Sequence, residues 1–333
     1  MPSVSVPAAP RFSVVVPVRD GAGYLPRTLP PLLAALPPDA ELLVCDDGSL
    51  DGSAEIARRT GARVVPGDRP GGPGAARNRG ARAAQGGLLV FLDADVRVHA
   101  DTLDRLLGPF ADAGVAASFG SYDAAPEARS WVSLYKNLAH HFVHQRSREE
   151  ASTFWAGCGA VRREVFLRLG GFDEGYRRPS IEDVELGYRL VAAGHRVRLV
   201  REAQVTHLKE WTLASWLVSD LRDRAIPWAR LLRSGRGLPR DLNFTLRDRA
   251  ASALVGVGLL ALAAAPLVPP LLGGSAAAFA TAAGLDGDFL AFAGRRVSPA
   301  FALAAAGFQL LHRAAGLLGL AAGWLGRPTG PRT

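Results

Sequence analysis

The chain is poor in lysine, cysteine and methionine. Lys136 and Lys209 are its only lysines in 333 residues, beside 2 cysteines and 1 methionine. Cys45 and Cys158 cannot build a disulfide framework or a multi-cysteine zinc site, which fits a reducing compartment. The N-terminal MPSVSVPAAP lacks a charged start followed by an apolar run, so no secretory signal is expected. Charge is absent altogether from residues 250–285. No internal repeat is evident, and a composition 48% hydrophobic and 21% charged excludes wholesale disorder.

Arginine is what the chain has in plenty. Lys and Arg number 39 against 31 acidic residues, for a net charge of +8. Such a balance favours an anionic partner: nucleic acid, a lipid surface or a phosphorylated substrate. No basic–aromatic interleaving on a nucleic-acid motif is present, so nucleic acid is not expected as a partner.

From residue 11 to about 204, apolar runs alternate with helical patterns. FSVVVPV (12–18), ELLVCDD (41–47), ARVVPG (62–67) and GLLVFLDAD (87–95) read as buried strands. Their continuous rather than alternating character suits a parallel sheet. Helices are expected near 22–36, 53–60, 75–85 and 100–113, the last capped by Asp101. This alternation predicts a doubly wound α/β fold, with ligands at the carboxyl ends of the strands. Residues 221–250 then carry eight arginines, followed by the charge-free run and a second apolar stretch, 299–326, interrupted by His312 and Arg313. The first run is too long for one upright span and holds Pro266, Pro269 and Pro270, which predicts a kinked hairpin or two short spans. The arginine cluster fits a positive flank on the cytoplasmic side. Arginine at mid-membrane is costly, so the last segment is expected either to lie at the interface or to turn Arg313 toward protein or water.

Five constellations could carry chemistry. LLVCDDGSLDGS (42–53) places Asp46 and Asp47 at a strand end, where a carboxylate can accept from a base or ribose; the same residues also make an ordinary turn. GGPGAARNRGARAAQGG (71–87) combines close-approach glycines with Arg77, Asn78 and Arg82 at a helix start, which suits a diphosphate. In LLVFLDADV (88–96), Asp93 and Asp95 follow buried residues, a costly place for two carboxylates unless a cation joins them. Glu182 and Asp183 open a helix, and one of them is a candidate general base, with the helix dipole expected to lower its pKa. In AQVTHLKEW (203–211), His207 could complete a metal site and Trp211 could stack on a sugar.

In this order the five resemble the family 2 glycosyltransferases of GT-A fold, over residues 11–211. The resemblance implies that Pro17, Asp47 and Arg77 hold the nucleotide, and that Asp93 and Asp95 form the Asp-x-Asp motif on the donor side. It further implies Asp95 and His207 as ligands of a divalent cation, Mn2+ or Mg2+, and Asp183 as the base with Glu182 beside it. Gly157, Cys158 and Gly159, with Trp211, fall on the acceptor side. The expected organisation is a tail at 1–10, a GT-A catalytic domain at 11–210, an arginine-rich membrane-proximal segment at 211–249, membrane-embedded helices at 250–327 and a tail at 328–333. The implied activity is inverting transfer of a sugar from a nucleotide-diphosphate sugar to a lipid-linked or glycan acceptor. It would take place at the inner (cytoplasmic) membrane, with the catalytic domain facing the cytoplasm. Processive members carry Gln-x-x-Arg-Trp after the base; 222–228 has Arg224 and Trp228 without the glutamine, which favours transfer of one or a few sugars. A catalytically degenerate, membrane-bound nucleotide- or partner-binding module is the alternative.

Overall fold

A computed structural model describes residues 10–235 and 245–326. Apart from residue 10, the tails expected at 1–10 and 328–333 lie outside the described residues, as do positions 236–244 of the arginine-rich segment. The chain divides into two compact units, residues 1–127 with 149–209 and residues 128–148 with 210–333.

The first unit is built on a nine-stranded sheet: β1 (Phe12–Val18), β2 (Ala40–Asp46), β3 (Arg63–Pro66), β4 (Leu88–Leu92), β5 (Val96–Val98), β6 (Val115–Tyr122), β7 (Glu150–Ala151), β8 (Cys158–Arg162) and β9 (Arg196–His207). The order is β3-β2-β1-β4-β8-β6-β9-β5, with β7 on β9. The four strands legible in the sequence run parallel. Beyond them the sheet turns mixed, because β8 enters antiparallel between β4 and β6. Strand order reverses between β1 and β4, the place where an open α/β sheet leaves a crevice at its carboxyl edge.

Continuous apolar strands bury side chains on both faces. Val15, Leu43 and Phe91 enter one core, and Val14, Val16, Val44 and Val90 the other. The faces are covered by α1 (Leu25–Ala35), α2 (Ser53–Arg59), α3 (Pro73–Ala83), α4 (Thr102–Leu107), α6 (Arg163–Arg168) and α7 (Glu182–Ala192). Asp101 stands before α4 but does not cap it. Its carboxylate accepts from Arg105 Nε at 2.7 Å instead, an arginine one turn on being the stronger competitor.

Residues 128–148 form α5 (Trp131–Arg146) and belong to the second unit. There Tyr135 Oη donates to Gln309 at 3.0 Å and Lys136 Nζ to Asp220 at 2.8 Å. The unit continues with α8 (Leu213–Val218), a π-helical turn (Ser219–Ala225), α9 (Ile226–Arg233), α10 (Leu246–Ala264), α11 (Leu271–Leu285), α12 (Gly287–Arg296) and α13 (Pro299–Leu325). The charge-free run is a hairpin of α10 and α11, broken where Pro266, Pro269 and Pro270 deny the backbone its helical bonds. The pair α11–α12 bends by 67°, and the 27-residue α13 is long and apolar enough to cross a membrane. Arg313 turns toward protein: it pairs with Asp286 at 2.6 Å and Asp248 at 3.7 Å.

Close seating of α3 on the sheet depends on Gly80, where a Cβ would stand 2.5 Å from Cys45 Sγ and Val15 Cγ1. Gly80→Ala is expected to cost about 1–3 kcal/mol through overpacking, read as a lower thermal midpoint of the full chain. Gly273→Ala, whose added carbon meets nothing within 4 Å, should leave the midpoint near wild type.

Candidate functional site

Three strand ends and two helix starts converge at the carboxyl edge. Pro17 is buried beside Cys45 in the β1–β2 ladder. After β1 the chain turns at Asp20, whose φ of 51° is the only positive value among the described non-glycine residues, a strained position of the kind found at functional sites. The 20–22 and 49–53 loops hold each other: Gly21 N donates to Ser53 Oγ at 2.9 Å and Leu50 N to Asp20 Oδ1 at 2.8 Å.

Asp47 is buried and its carboxylate is occupied by protein donors. Oδ2 accepts from Gly72 N at 2.8 Å and Gly71 N at 3.1 Å, and Oδ1 from Arg79 Nη2 at 3.0 Å. These bonds hold the glycine loop in shape. Arg79 is a residue the sequence reading missed; its position two after Arg77 puts it on another side of α3. Gly72 has φ +93° and packs so close that a Cβ would lie 2.7 Å from Arg177 C, so the loop needs glycine there on both counts. Asn78 is an anchor: its side chain donates to Phe172 O at 2.9 Å and accepts from Phe172 N at 2.9 Å. The exposed Arg82 faces Glu174 at 3.8 Å.

Arg77 is the centre of the site. Its guanidinium, 5% exposed, donates through Nη2 to Asp93 at 2.6 Å and through Nη1 to Glu182 at 3.0 Å. It therefore ties together the start of α3, the end of β4 and the start of α7. Glu182 also accepts from Ser180 N at 2.9 Å, so its carboxylate is paired and held.

Asp183 differs. Its Oδ2 accepts from Ala156 N at 3.1 Å and its Oδ1 from Val184 N at 2.8 Å, with no cation in direct contact among the described residues. Burial, then the neighbouring Glu182 charge, raises its pKa to about 6. The helix dipole was expected to lower it; desolvation and a like charge outweigh that influence here.

The antiparallel register of β5 and β9 sets Val96 opposite His207, and Leu208 N donates to Asp95 O at 2.9 Å. His207 Nε2 thereby comes within 3.9 Å of Asp95 Oδ2. The imidazole is buried and stacks on Tyr122 at 4.3 Å with an interplanar angle of 21°. Trp155 meets the Tyr122 ring edge-on at 4.8 Å. Nothing in the sequence around Tyr122 distinguishes it from an ordinary strand-end aromatic. Burial raises the pKa of both Asp93 and Asp95; Arg77 opposes the rise at Asp93, and Lys209 at Asp95. One carboxylate oxygen from the turn before β5 and one imidazole nitrogen at the end of β9 suit a divalent cation whose other positions come from phosphate and water. Among the described residues no set of three or more His, Cys, Asp and Glu forms a protein-only cage.

In the segment expected on the acceptor side, Gly157 O accepts from Asp93 N at 3.2 Å, and a Cβ at Gly157 would strike the Trp155 ring at 2.5 Å. Phe91 pairs with Gly159 across the β4–β8 ladder. Cys158 corrects the expectation: it is fully buried in the core, its thiol pushed up to about 12 by burial, so it offers an acceptor no surface. Trp211 belongs to the second unit, where it is 9% exposed and faces Lys136 Nζ at 5.8 Å.

Comparison with known proteins finds the family described as "Glycosyl transferase family 2" over residues 13–170, and "N-terminal domain of galactosyltransferase" over 136–211. The chain is 31% identical over 223 residues to the pre-mycofactocin glycosyltransferase of Mycobacterium tuberculosis, covering 64% of this chain and 46% of that protein. It is 32% identical over 172 residues to an uncharacterized glycosyltransferase of Mycobacterium bovis, covering 51% of this chain and 76% of that one. The chain spans about half the length of the first of these relatives. The mannosyltransferase PcManGT of Pyrobaculum calidifontis, solved in complex with GDP-Man and Mn2+, superposes with a TM-score of 0.58 over 94% of this chain and 87% of its own. At 20% identity that likeness is one of fold.

Arg77→Met should therefore be strongly destabilising, because it leaves Glu182 and Asp93 without their shared cation. Loss of one partner from a buried pair costs about 3–5 kcal/mol, measurable as a drop in the unfolding midpoint. Arg77→Lys should recover only part, since a single ammonium cannot bridge two carboxylates in the fork geometry.

Proposed function

The chain belongs to the family 2 glycosyltransferases and has their GT-A fold; from that premise we propose that it transfers a sugar, with inversion, from a nucleotide-diphosphate sugar to a lipid-linked or glycan acceptor. The observation that carries this reading is the division of labour among the carboxylates. Glu182 and Asp93 are held by Arg77, while Asp183 sits beside them with a pKa of about 6 and no cation in contact among the described residues. A carboxylate so placed is ionised at neutral pH and near enough to it to take and release a proton.

The diphosphate would lie along the glycine loop and the first amides of α3, which Asp47 and Arg79 hold in shape. Asp95 and His207 would hold a divalent cation, Mn2+ or Mg2+, which when bound neutralises the diphosphate and stabilises charge on the leaving nucleotide. Asp183 accepts the acceptor hydroxyl's proton as that oxygen attacks the anomeric carbon from the face opposite the nucleotide.

A membrane-associated acceptor is supported by the apolar α13 and by exposed leucines of the second unit, Leu260 at 74%, Leu303 at 79% and Leu325 at 87%. Arg247 and Arg249 at the start of α10, behind the arginine-rich segment, favour a cytoplasmic-side flank, with the catalytic unit in the cytoplasm.

Asp183→Asn is the discriminating variant. Turnover should fall by about 10²–10⁴, whereas nucleotide affinity, measured by calorimetry on the same preparation, should be unchanged. Wild-type kcat/KM should also decline below pH 6, where Asp183 takes up a proton and cannot act as base. An Asn variant that transfers at near wild-type rate would remove Asp183 from the chemistry.

A further inference from the structure

In the second unit a groove of about 360 Å³ lies between α5 and α12. We propose that it binds the phosphate headgroup of an anionic membrane lipid; the proposal rests on the reading that this unit sits at a membrane. Its walls carry Arg146 and His141 from α5 and Asp288 and Arg295 from α12. Asp288 is the single carboxylate of the lining, and it is shared: Arg247 reaches it at 2.9 Å and Arg146 at 3.4 Å. Those arginines, Arg247 before Arg146, hold its carboxyl below the usual range, so it stays charged and is already answered twice. Arg295 has no carboxylate within ion-pair distance among the described residues. One carboxylate thus faces two guanidinium groups and a histidine in the lining, and Arg247 answers that carboxylate from outside it, which leaves Arg295 for a phosphate.

The floor is aromatic. Phe142 and Phe292 lie 5.4 Å apart, His141 stacks on Phe292 at 5.9 Å, and the Arg146 guanidinium sits 5.1 Å from the Phe142 ring. A charged rim over an apolar floor suits a headgroup carrying its chain better than a free ion. Placement argues the same way. Arg247, which reaches the groove through Asp288, opens α10, and Arg295 and Arg296 close α12 just before Ser298 caps α13. The cationic residues thus lie along α12, between the start of α10 and the start of α13, a positively charged flank to the apolar helices of the kind found at headgroup level.

The test uses the full chain in neutral detergent micelles, titrated with dioctanoyl phosphatidic acid while the thermal midpoint is followed. A saturable rise is expected, absent with dioctanoyl phosphatidylcholine and with inorganic phosphate. Arg295→Gln, which breaks no ion pair, should melt like wild type without lipid and bind the lipid about tenfold more weakly, the loss of one charge-assisted contact; Arg295→Lys should recover part of the affinity. An equal response to inorganic phosphate, or unchanged lipid affinity in Arg295→Gln, overturns the assignment. Alkaline carbonate extraction of wild-type membranes separates the two levels. Protein retained in the pellet but indifferent to the lipid overturns the groove alone, whereas protein released into the supernatant overturns the membrane reading beneath it.

Discussion

A buried arginine that must satisfy two carboxylates organises the catalytic edge. Arg77 is too deeply placed to be left unpaired and too rigid to serve its partners from an arbitrary angle. Its fork therefore fixes the distance between the end of β4 and the start of α7. Those two points carry Asp93 and Asp95, expected on the donor side, on one hand and Asp183 on the other. The same pairing sorts the acids chemically: Glu182 and Asp93 gain a counter-charge, and Asp183 is left to feel burial and a like-charged neighbour. Arg77 thus sets the geometry, while burial is the larger cause of the raised pKa at Asp93 and Asp183 alike.

This arrangement explains what could be read from the sequence. Strands β1 to β4 were legible because both faces are buried, which writes them as unbroken apolar runs, and because the acids stand at their ends. Glu182 and Asp183 were legible as a pair, but not their separation into a held acid and a freer one, since that depends on an arginine 105 residues away. The rise in the Asp183 pKa was missed for the same reason: a helix start can be seen in sequence, whereas desolvation cannot. Arg79 and Tyr122 act through tertiary contacts and carry no local signature. Residues 128–148 read as part of the catalytic segment only because they fall inside it in order; Tyr135 and Lys136 bind instead to Gln309 and Asp220.

The second unit applies the same rule to an apolar setting, where a lone charge is costlier still. Arg313 and His312 interrupt α13, and each is answered by a carboxylate from a neighbouring element, Asp286 at 2.6 Å and Asp220 at 2.7 Å. Burial alone would raise the Asp220 pKa, yet Lys136 and then His312 hold it well below the usual carboxylate range. Arg313 is thus a buried fastening and His312 a half-exposed one, while Leu303, Leu311, Leu318 and Leu320 of α13 face outward.

The central claim is that a single freed carboxylate works opposite the leaving nucleotide. The stereochemistry of transfer tests it most directly: supply a nucleotide sugar of known α configuration and read the anomeric proton coupling of the product by NMR at early turnover. The account predicts a β-linked product from an α-linked donor. Retention of the α configuration would contradict it, because one base deprotonating the acceptor on the far face cannot return the sugar to its starting configuration.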